Sequence, residues 1–369
     1  MDLERLKNGM RKRNLDAVVA VSQENVYYTS GALIQTQKDI RDRLGITVFP
    51  LDGDPAMVVC SIEESFTREW TWIKDVRAYI EFRESPIAFL VNVLKERGLS
   101  GKRIGLEKEY LPASFYEDLT GQRPGTSFIN CEEVLVEMRM INSKEEVDLL
   151  ERTTRATVKA IEKAFSDSHP GDTERQVMDR IGINIIHAGA VNLPFLIVAA
   201  GKKGAQAHPI ADDTRLIEGE TLRVDCGGLF KGYYSDVART VAIGAPAGHQ
   251  KQYYAALQKI QKKVIDHMTI GTPCRDLYAL CAEEFKKEGM AFHMPHIGHG
   301  MGLVIHEYPM ISPMCEASLE EGMIINIEPL YIDQERKFGY HIEDLIEITK
   351  AGPRVLTGTS FSLDISSIR

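Results

Sequence analysis

The chain has 369 residues, 44% hydrophobic and 26% charged, ordinary figures for a folded globular protein, so disordered, collagenous and coiled-coil readings drop out. Fifty-three acids against 44 bases leave a formal charge of −9, which speaks against nucleic-acid and anionic-membrane partners, since both need a basic footprint. Six cysteines without a C-x-x-C pair offer no zinc ribbon or secreted disulfide framework, and the N-terminus shows no apolar leader, so reduced thiols in the cytoplasm are expected.

In chain order, Leu3, Leu6 and Met10 mark an amphipathic helix, followed by a buried strand over Asp16 to Val21. Gly45 to Pro50 and Ala56 to Cys60 read as two strands joined by the turn Asp52-Gly53-Asp54-Pro55. A helix over Pro86 to Arg97 starts on its proline, and Arg103 to Glu107 is another short strand. This alternation predicts a small α/β domain, with a boundary near Met138 to Asn142. Beyond it, Ser143 and Glu146 form a capping box ahead of Val147, Leu150, Val158, Ile161 and Phe165 at helical spacing. Further helices are expected from about Thr173, over Gln252 to Met268, and from an N-cap at Thr272 followed by Pro273. The longest apolar stretch, Leu193 to Ala200, contains a proline and is too short to span a bilayer. Strands are expected over Leu222 to Leu229 and Tyr233 to Ile243, then Met323 to Tyr331 and Gly339 to Thr349. The second half is therefore α+β, with helices beside antiparallel strands.

Two acid pairs stand out in these strands. A tight reversal at Phe230-Lys231 sets Asp225 directly opposite Asp236, with Cβ atoms roughly 4.5–5.5 Å apart. A reversal centred between Glu335 and Arg336 does the same for Glu328 and Glu343. All four acids sit among apolar neighbours, where facing carboxylates cannot both ionise cheaply. A shared proton or a cation must compensate, and two such pairs in one domain make metal the more economical answer. The plain alternative, acids on solvated edges, weakens with the second pair. His299 lies among Gly298, Gly300 and Gly302, which let the backbone approach whatever the imidazole touches. His306 is an odd number of residues further on, so the two imidazoles share a site only if the chain bends between them. No H-E-x-x-H, P-loop, dinucleotide fingerprint or nucleophile elbow is present.

The ordered set Asp225 and Asp236, then Gly298-His299-Gly300-Met301-Gly302, then Ile327-Glu328-Pro329, then Ile342-Glu343-Asp344 resembles the pita-bread metallopeptidases. That family holds the methionine aminopeptidases, the Xaa-Pro aminopeptidases and the Xaa-Pro dipeptidases (prolidases). The likeness covers roughly residues 143–352. It implies an α+β fold: a pita-bread catalytic domain over 141–369, with antiparallel sheet and flanking helices, preceded by a smaller α/β domain over 1–140. The latter looks like the N-terminal domain of prolidases and creatinase, which methionine aminopeptidases lack. Retention of all five ligand types argues against a metal-free creatinase.

The resemblance implies that Asp225, Asp236, His299, Glu328 and Glu343 bind two divalent metals, with Asp236 and Glu343 bridging. Mn²⁺ is foremost, with Co²⁺, Zn²⁺ and Fe²⁺ as alternatives. His208, in Ala207-His208-Pro209, and His306 resemble the active-site histidines that hydrogen-bond the scissile carbonyl. Glu328 takes the further role of general base, then acid. The implied reaction is hydrolysis of the Xaa-Pro bond of dipeptides or short peptides by a hydroxide held between the cations. A homodimer is implied too, with Trp70 and Trp72 either facing the partner or packed within the N-terminal domain. Two positions depart from the pattern. Prolidases usually carry a histidine four residues before the metal histidine, where this chain has Pro295 with His293 and His296 nearby. They commonly read R-I-E-D where this chain reads His341-Ile342-Glu343-Asp344. These departures leave room for a metal-dependent hydrolase or lyase of a small non-peptide amide or osmolyte; a non-enzymatic binding protein of the same fold is a second alternative, against which the retained ligands speak.

Overall fold

Asp16 to Val21 forms an almost entirely buried stretch because its strand, β1 (Ala17–Ala20), lies inside a six-stranded sheet. The other strands are β2 (Ile46–Pro50), β3 (Ala56–Cys60), β4 (Asp75–Tyr79), β5 (Arg103–Leu106) and β6 (Ser127–Asn130), in the order β4-β3-β2-β1-β5-β6. Pairing is mixed: β1 runs antiparallel to β2 and parallel to β5. Helix Leu3–Lys12 buries Leu6 and Met10, as its spacing requires. Helix Pro86–Glu96 begins on its proline and is capped by Ser85. Trp72 Nε1 donates to Thr29 O at 2.9 Å, whereas Trp70 stacks on Phe66 and remains 61% exposed.

The computed structural model describes residues 1–40, 42–358 and 366–368, and divides into two compact units, Met1–Arg139 and Met140–Arg369. In the second unit, helices Lys144–Ser166 and Glu174–His187 both open with complete capping boxes, Ser143 with Glu146 and Thr173 with Gln176. They pack beside a sheet of β7 (Asn192–Ala200), β8 (Thr221–Phe230), β9 (Tyr233–Tyr234) and β10 (Val237–Ile243). Helices Gly248–Asp266 and Cys274–Lys287 form a second pair. Residues 261–290 repeat the succession of helix, turn, bridge and helix found over 161–190. A second sheet holds β11 (Gly298–Gly300), β12 (Glu307–Met310) and β13 (Ile324–Ile327). A two-stranded ribbon of β14 (Leu330–Asp333) and β15 (Phe338–His341) follows. The second sheet is completed by β16 (Asp344–Thr349) and β17 (Gly352–Val355), and β18 (Ser367–Ile368) pairs with β10.

Several local expectations change. Thr272 does not cap the fourth helix: the cap position is Pro273, and the Thr272 hydroxyl is turned to His267 O. The apolar stretch 193–200 is a strand, its proline tolerated because β7 lies at a sheet edge. The two long strands expected over 323–331 and 339–349 are each broken in the middle, at Glu328-Pro329 and at Ile342-Glu343. The β8–β10 register is also slipped from the expected one. Asp225 faces Ala238, because the turn is Lys231-Gly232 with both residues at positive φ. The slip is by two residues, an even number, so Asp225 and Asp236 keep to one face as diagonal neighbours.

Candidate metal centre

Asp225 comes from the interior of β8, and Asp236 from the bend between β9 and β10. That bend is tight. A Cβ on Gly227 would stand 1.7 Å from Ser235 O, so only glycine lets the chain pass here. Glu328 and Glu343 occupy the two strand breaks. The β13–β16 and β14–β15 ladders share one register, in which Ile327 pairs with Asp344 and Leu330 with His341. Glu328 and Glu343 therefore face each other directly, as the reversal between Glu335 and Arg336 requires.

His299 is the middle residue of β11 and is fully buried. Its flanking glycines answer to neighbouring strands rather than to a ligand. A Cβ on Gly298 would fall 2.1 Å from Asn326 O, and one on Gly300 2.6 Å from Tyr308 O. His299 Nδ1 donates to Gly300 O at 3.0 Å, which leaves the Nε2 lone pair aimed inward. Nε2 lies 3.3 Å from Glu328 Oε1, 3.8 Å from Glu343 Oε1 and 3.9 Å from Asp236 Oδ2.

The odd spacing of His299 and His306 is resolved by a hairpin. The buried Glu307 carboxylate accepts from Leu303 N and Val304 N, folding the loop back on itself. The rings of His299 and His306 end 4.1 Å apart, centroid to centroid. One donor atom each from Asp236, His299 and Glu343 fall within 4.8 Å of one another, and the same holds for His299, His306 and Glu328.

Two imidazoles that the residue pattern left undirected also reach the cluster. His296 Nδ1 is 3.3 Å from Glu328 Oε1. His341, at the end of β15, lies 3.6 Å from both Asp225 and Glu328. His208 is exposed, on the loop after Ala205. That loop is tied down by two buried groups that sequence alone did not single out. Arg223 donates to Gln206 O and Ala207 O, and Glu174 accepts from Ala200 N, Asp212 N and Lys203 Nζ. A charged residue inside an apolar strand, as Arg223 is, was the available signal.

Burial pushes the carboxyls of Asp225, Asp236 and Glu343 up, and repulsion from neighbouring carboxylates, Glu328 among them for all three, adds to it, while His341 pulls Asp225 the other way. Burial acts on Glu328 in the same direction, but His296, His299 and His341 outweigh it and hold that carboxyl well below the usual range. Burial, with the nearby His299, pushes His306 down to about 4, so its imidazole is neutral at pH 7. Asp236 Oδ1, Glu328 Oε1, both Glu343 oxygens and His299 Nε2 are buried with no hydrogen-bond partner among the described residues. Buried polar atoms are rarely left so. Oxygen-rich donors, one oriented imidazole and unmet lone pairs suit divalent cations.

Comparison with known proteins agrees. Residues 148–350 match the model of metallopeptidase family M24, and residues 3–141 match the creatinase/prolidase N-terminal domain. The Xaa-Pro dipeptidase of Pyrococcus furiosus is 30% identical over 365 residues, spanning 98% of this chain and 99% of that protein. The Xaa-Pro dipeptidase of Pyrococcus horikoshii is 31% identical over 363 residues, spanning 96% of each. Among solved structures, the prolidase from Pyrococcus horikoshii OT3 superposes with a TM-score of 0.86 at 29% identity, covering 98% of this chain and 99% of that one.

Proposed function

The chain belongs to metallopeptidase family M24, and from that membership we propose that it is a two-cation hydrolase cleaving the Xaa-Pro bond of dipeptides or short peptides. The observation that carries the reading is the convergence of Asp236, His299, Glu328 and Glu343, each with a buried donor atom unmet, beside Asp225 across His341, in a chain similar over its whole length to proteins named Xaa-Pro dipeptidase. Asp225, Asp236 and Glu343 would hold one ion and Asp236, His299, Glu328 and Glu343 the other, with Mn²⁺, Co²⁺, Zn²⁺ and Fe²⁺ all compatible with the donors. When bound, the cations supply Lewis acidity, which makes hydroxide available near neutral pH and polarises a carbonyl.

The remaining work falls to side chains of this chain. Glu328 accepts the proton of the attacking water and returns it to the leaving nitrogen. Neutral His306 donates a hydrogen bond to the scissile carbonyl oxygen as charge builds on it, and His208 serves the same oxygen from its loop. A homodimer and a cytoplasmic location belong to the same proposal. All six cysteines are free and buried, and no described helix is long and apolar enough to cross a membrane.

The test is hydrolysis of Xaa-Pro dipeptides against matched dipeptides without proline, before and after chelation, with Asp236→Ala as control. Turnover that survives chelation or the substitution refutes the metal reading. Loss of the prolyl preference, with turnover of other small amides, favours the non-peptide reading that His341 and Pro295 keep open.

A further inference from the structure

His341 takes the place that the R-I-E-D pattern gives to an arginine, and its surroundings are those of a ligand. The residue is 2% exposed. Nδ1 lies 3.6 Å from Asp225 Oδ2, and Nε2 lies 3.6 Å from Glu328 Oε2. Neither ring nitrogen has a hydrogen-bond partner among the described residues. A buried imidazole with both nitrogens unmet calls for an explanation, since native cores satisfy such groups.

The ring is also held where it is. His341 N–H donates to Thr240 Oγ1 at 2.9 Å, and the Thr240 hydroxyl donates back to His341 O at 3.0 Å. This reciprocal pair fixes the end of β15 against β10, so the imidazole is delivered to the acids by the backbone. The separations point the same way. A direct N–H···O bond would draw the atoms to about 2.7–3.2 Å. Two donors each about 2.0–2.2 Å from one ion stand about 3–3.5 Å apart. His299 Nε2 stands 3.3 to 3.9 Å from its three carboxylates, and the His341 nitrogens fall in that interval.

We propose that His341 is a nitrogen ligand of the centre on its Asp225 side, so that a second imidazole joins His299. Arginine has no lone pair to offer at this position, so the histidine adds a ligand rather than replacing one. An added imidazole moves the preference of an oxygen-rich site away from Mn²⁺ and toward Co²⁺ and Zn²⁺. The proposal rests on the two-cation reading above.

The full-length protein, stripped and reloaded with Mn²⁺ or Zn²⁺, supplies the test. Pulsed electron paramagnetic resonance of the Mn²⁺ form counts coupled nitrogens, and equilibrium dialysis gives zinc per chain and its affinity. In His341→Gln and His341→Arg, one nitrogen coupling is expected to vanish, and one of two zinc equivalents to bind at least tenfold more weakly. Unchanged couplings and zinc affinity in both variants would overturn the proposal. If neither variant folds, zinc-edge X-ray absorption of the unaltered protein takes their place. Two imidazoles across the two ions, kept in His306→Ala, support the assignment, and one or none overturns it. A protein that retains no divalent ion in dialysis sinks the two-cation reading as well, whereas ions held without the second nitrogen sink only the role of His341.

Discussion

Beneath the acid cluster, Arg239 and Asp344 form a buried ion pair, with Nη2 2.8 Å from Oδ1. Asp344 also accepts from Gln261 Nε2 and the Thr357 hydroxyl, and Arg239 Nη1 donates to Ala238 O and Glu343 O. Replacing Arg239 by methionine keeps the alkyl bulk, strands the Asp344 carboxylate and takes a donor from Glu343 O, while Ala238 O still accepts from Glu343 N. Breaking a buried pair from one side costs about 3–5 kcal/mol. Arg239 keeps 19% exposure, so the low end, about 3 kcal/mol, is expected. In a domain of this size that is a fall in Tm of roughly 6–12 °C. Calorimetry or urea unfolding of the chelated protein reads it directly. The double variant Arg239→Met with Asp344→Leu should recover at least half the loss, because no charge is then stranded. Since Glu343 O is one of the lost acceptors, the single variant should also retain metal less well in dialysis. A single variant within about 1 kcal/mol of the unaltered protein would refute the reasoning.

Other outcomes follow from the same geometry. Asp225, Asp236 and Glu343 have folded-state pKa values above their unfolded values, so without metal the folded state keeps protons that unfolding releases, and stability falls as pH rises from about 4 through the raised values. Glu328, shifted down, acts the other way and loses its contribution as pH falls, but it is one group against three. The gap in Tm between loaded and chelated protein should therefore be wider at pH 7.5 than at pH 5, and an equal or narrower gap would count against the clustered acids. Gly298→Ala should destabilise the protein by about 1–3 kcal/mol in urea unfolding, since its Cβ meets backbone that cannot yield. Ser143→Ala removes one half of a capping box and should cost about 1 kcal/mol by the same measurement, with activity unchanged. Lys203→Met should loosen the loop bearing His208, lowering kcat/KM while the metal content measured by atomic emission stays the same.

The second acid pair was legible because hairpin register is arithmetic. Once Glu328 and Glu343 are assumed to flank one turn, their facing follows, and the ladder on either side keeps that register. The first pair was legible for a coarser reason. The turn at Lys231-Gly232 displaced the register by two, and only an odd displacement would have put Asp225 and Asp236 on opposite faces. The strand breaks at Glu328-Pro329 and Ile342-Glu343 were hidden, because apolar residues continue on both sides and alternation does not register a kink. His296 and His341 were visible as residues but not as neighbours of Glu328, since their direction depends on where β11 and β15 end. Arg223 and Glu174 act through long-range hydrogen bonds to loop backbone, which no local pattern encodes.

The treatment of the four acids also separates their roles. Three are driven toward protonation by burial and by neighbouring carboxylates, the state expected of acids gathered for a cation. Glu328 alone is kept ionised by the protein itself, through His296, His299 and His341. Glu328 also shares a group of donor atoms within 4.8 Å of one another with His299 and His306, and on the function proposed above it is the acid that carries the proton. Exchanging it for glutamine should therefore abolish turnover at every pH while His299 and the remaining acids still hold metal, and metal loss in step with activity would show that it is a ligand only.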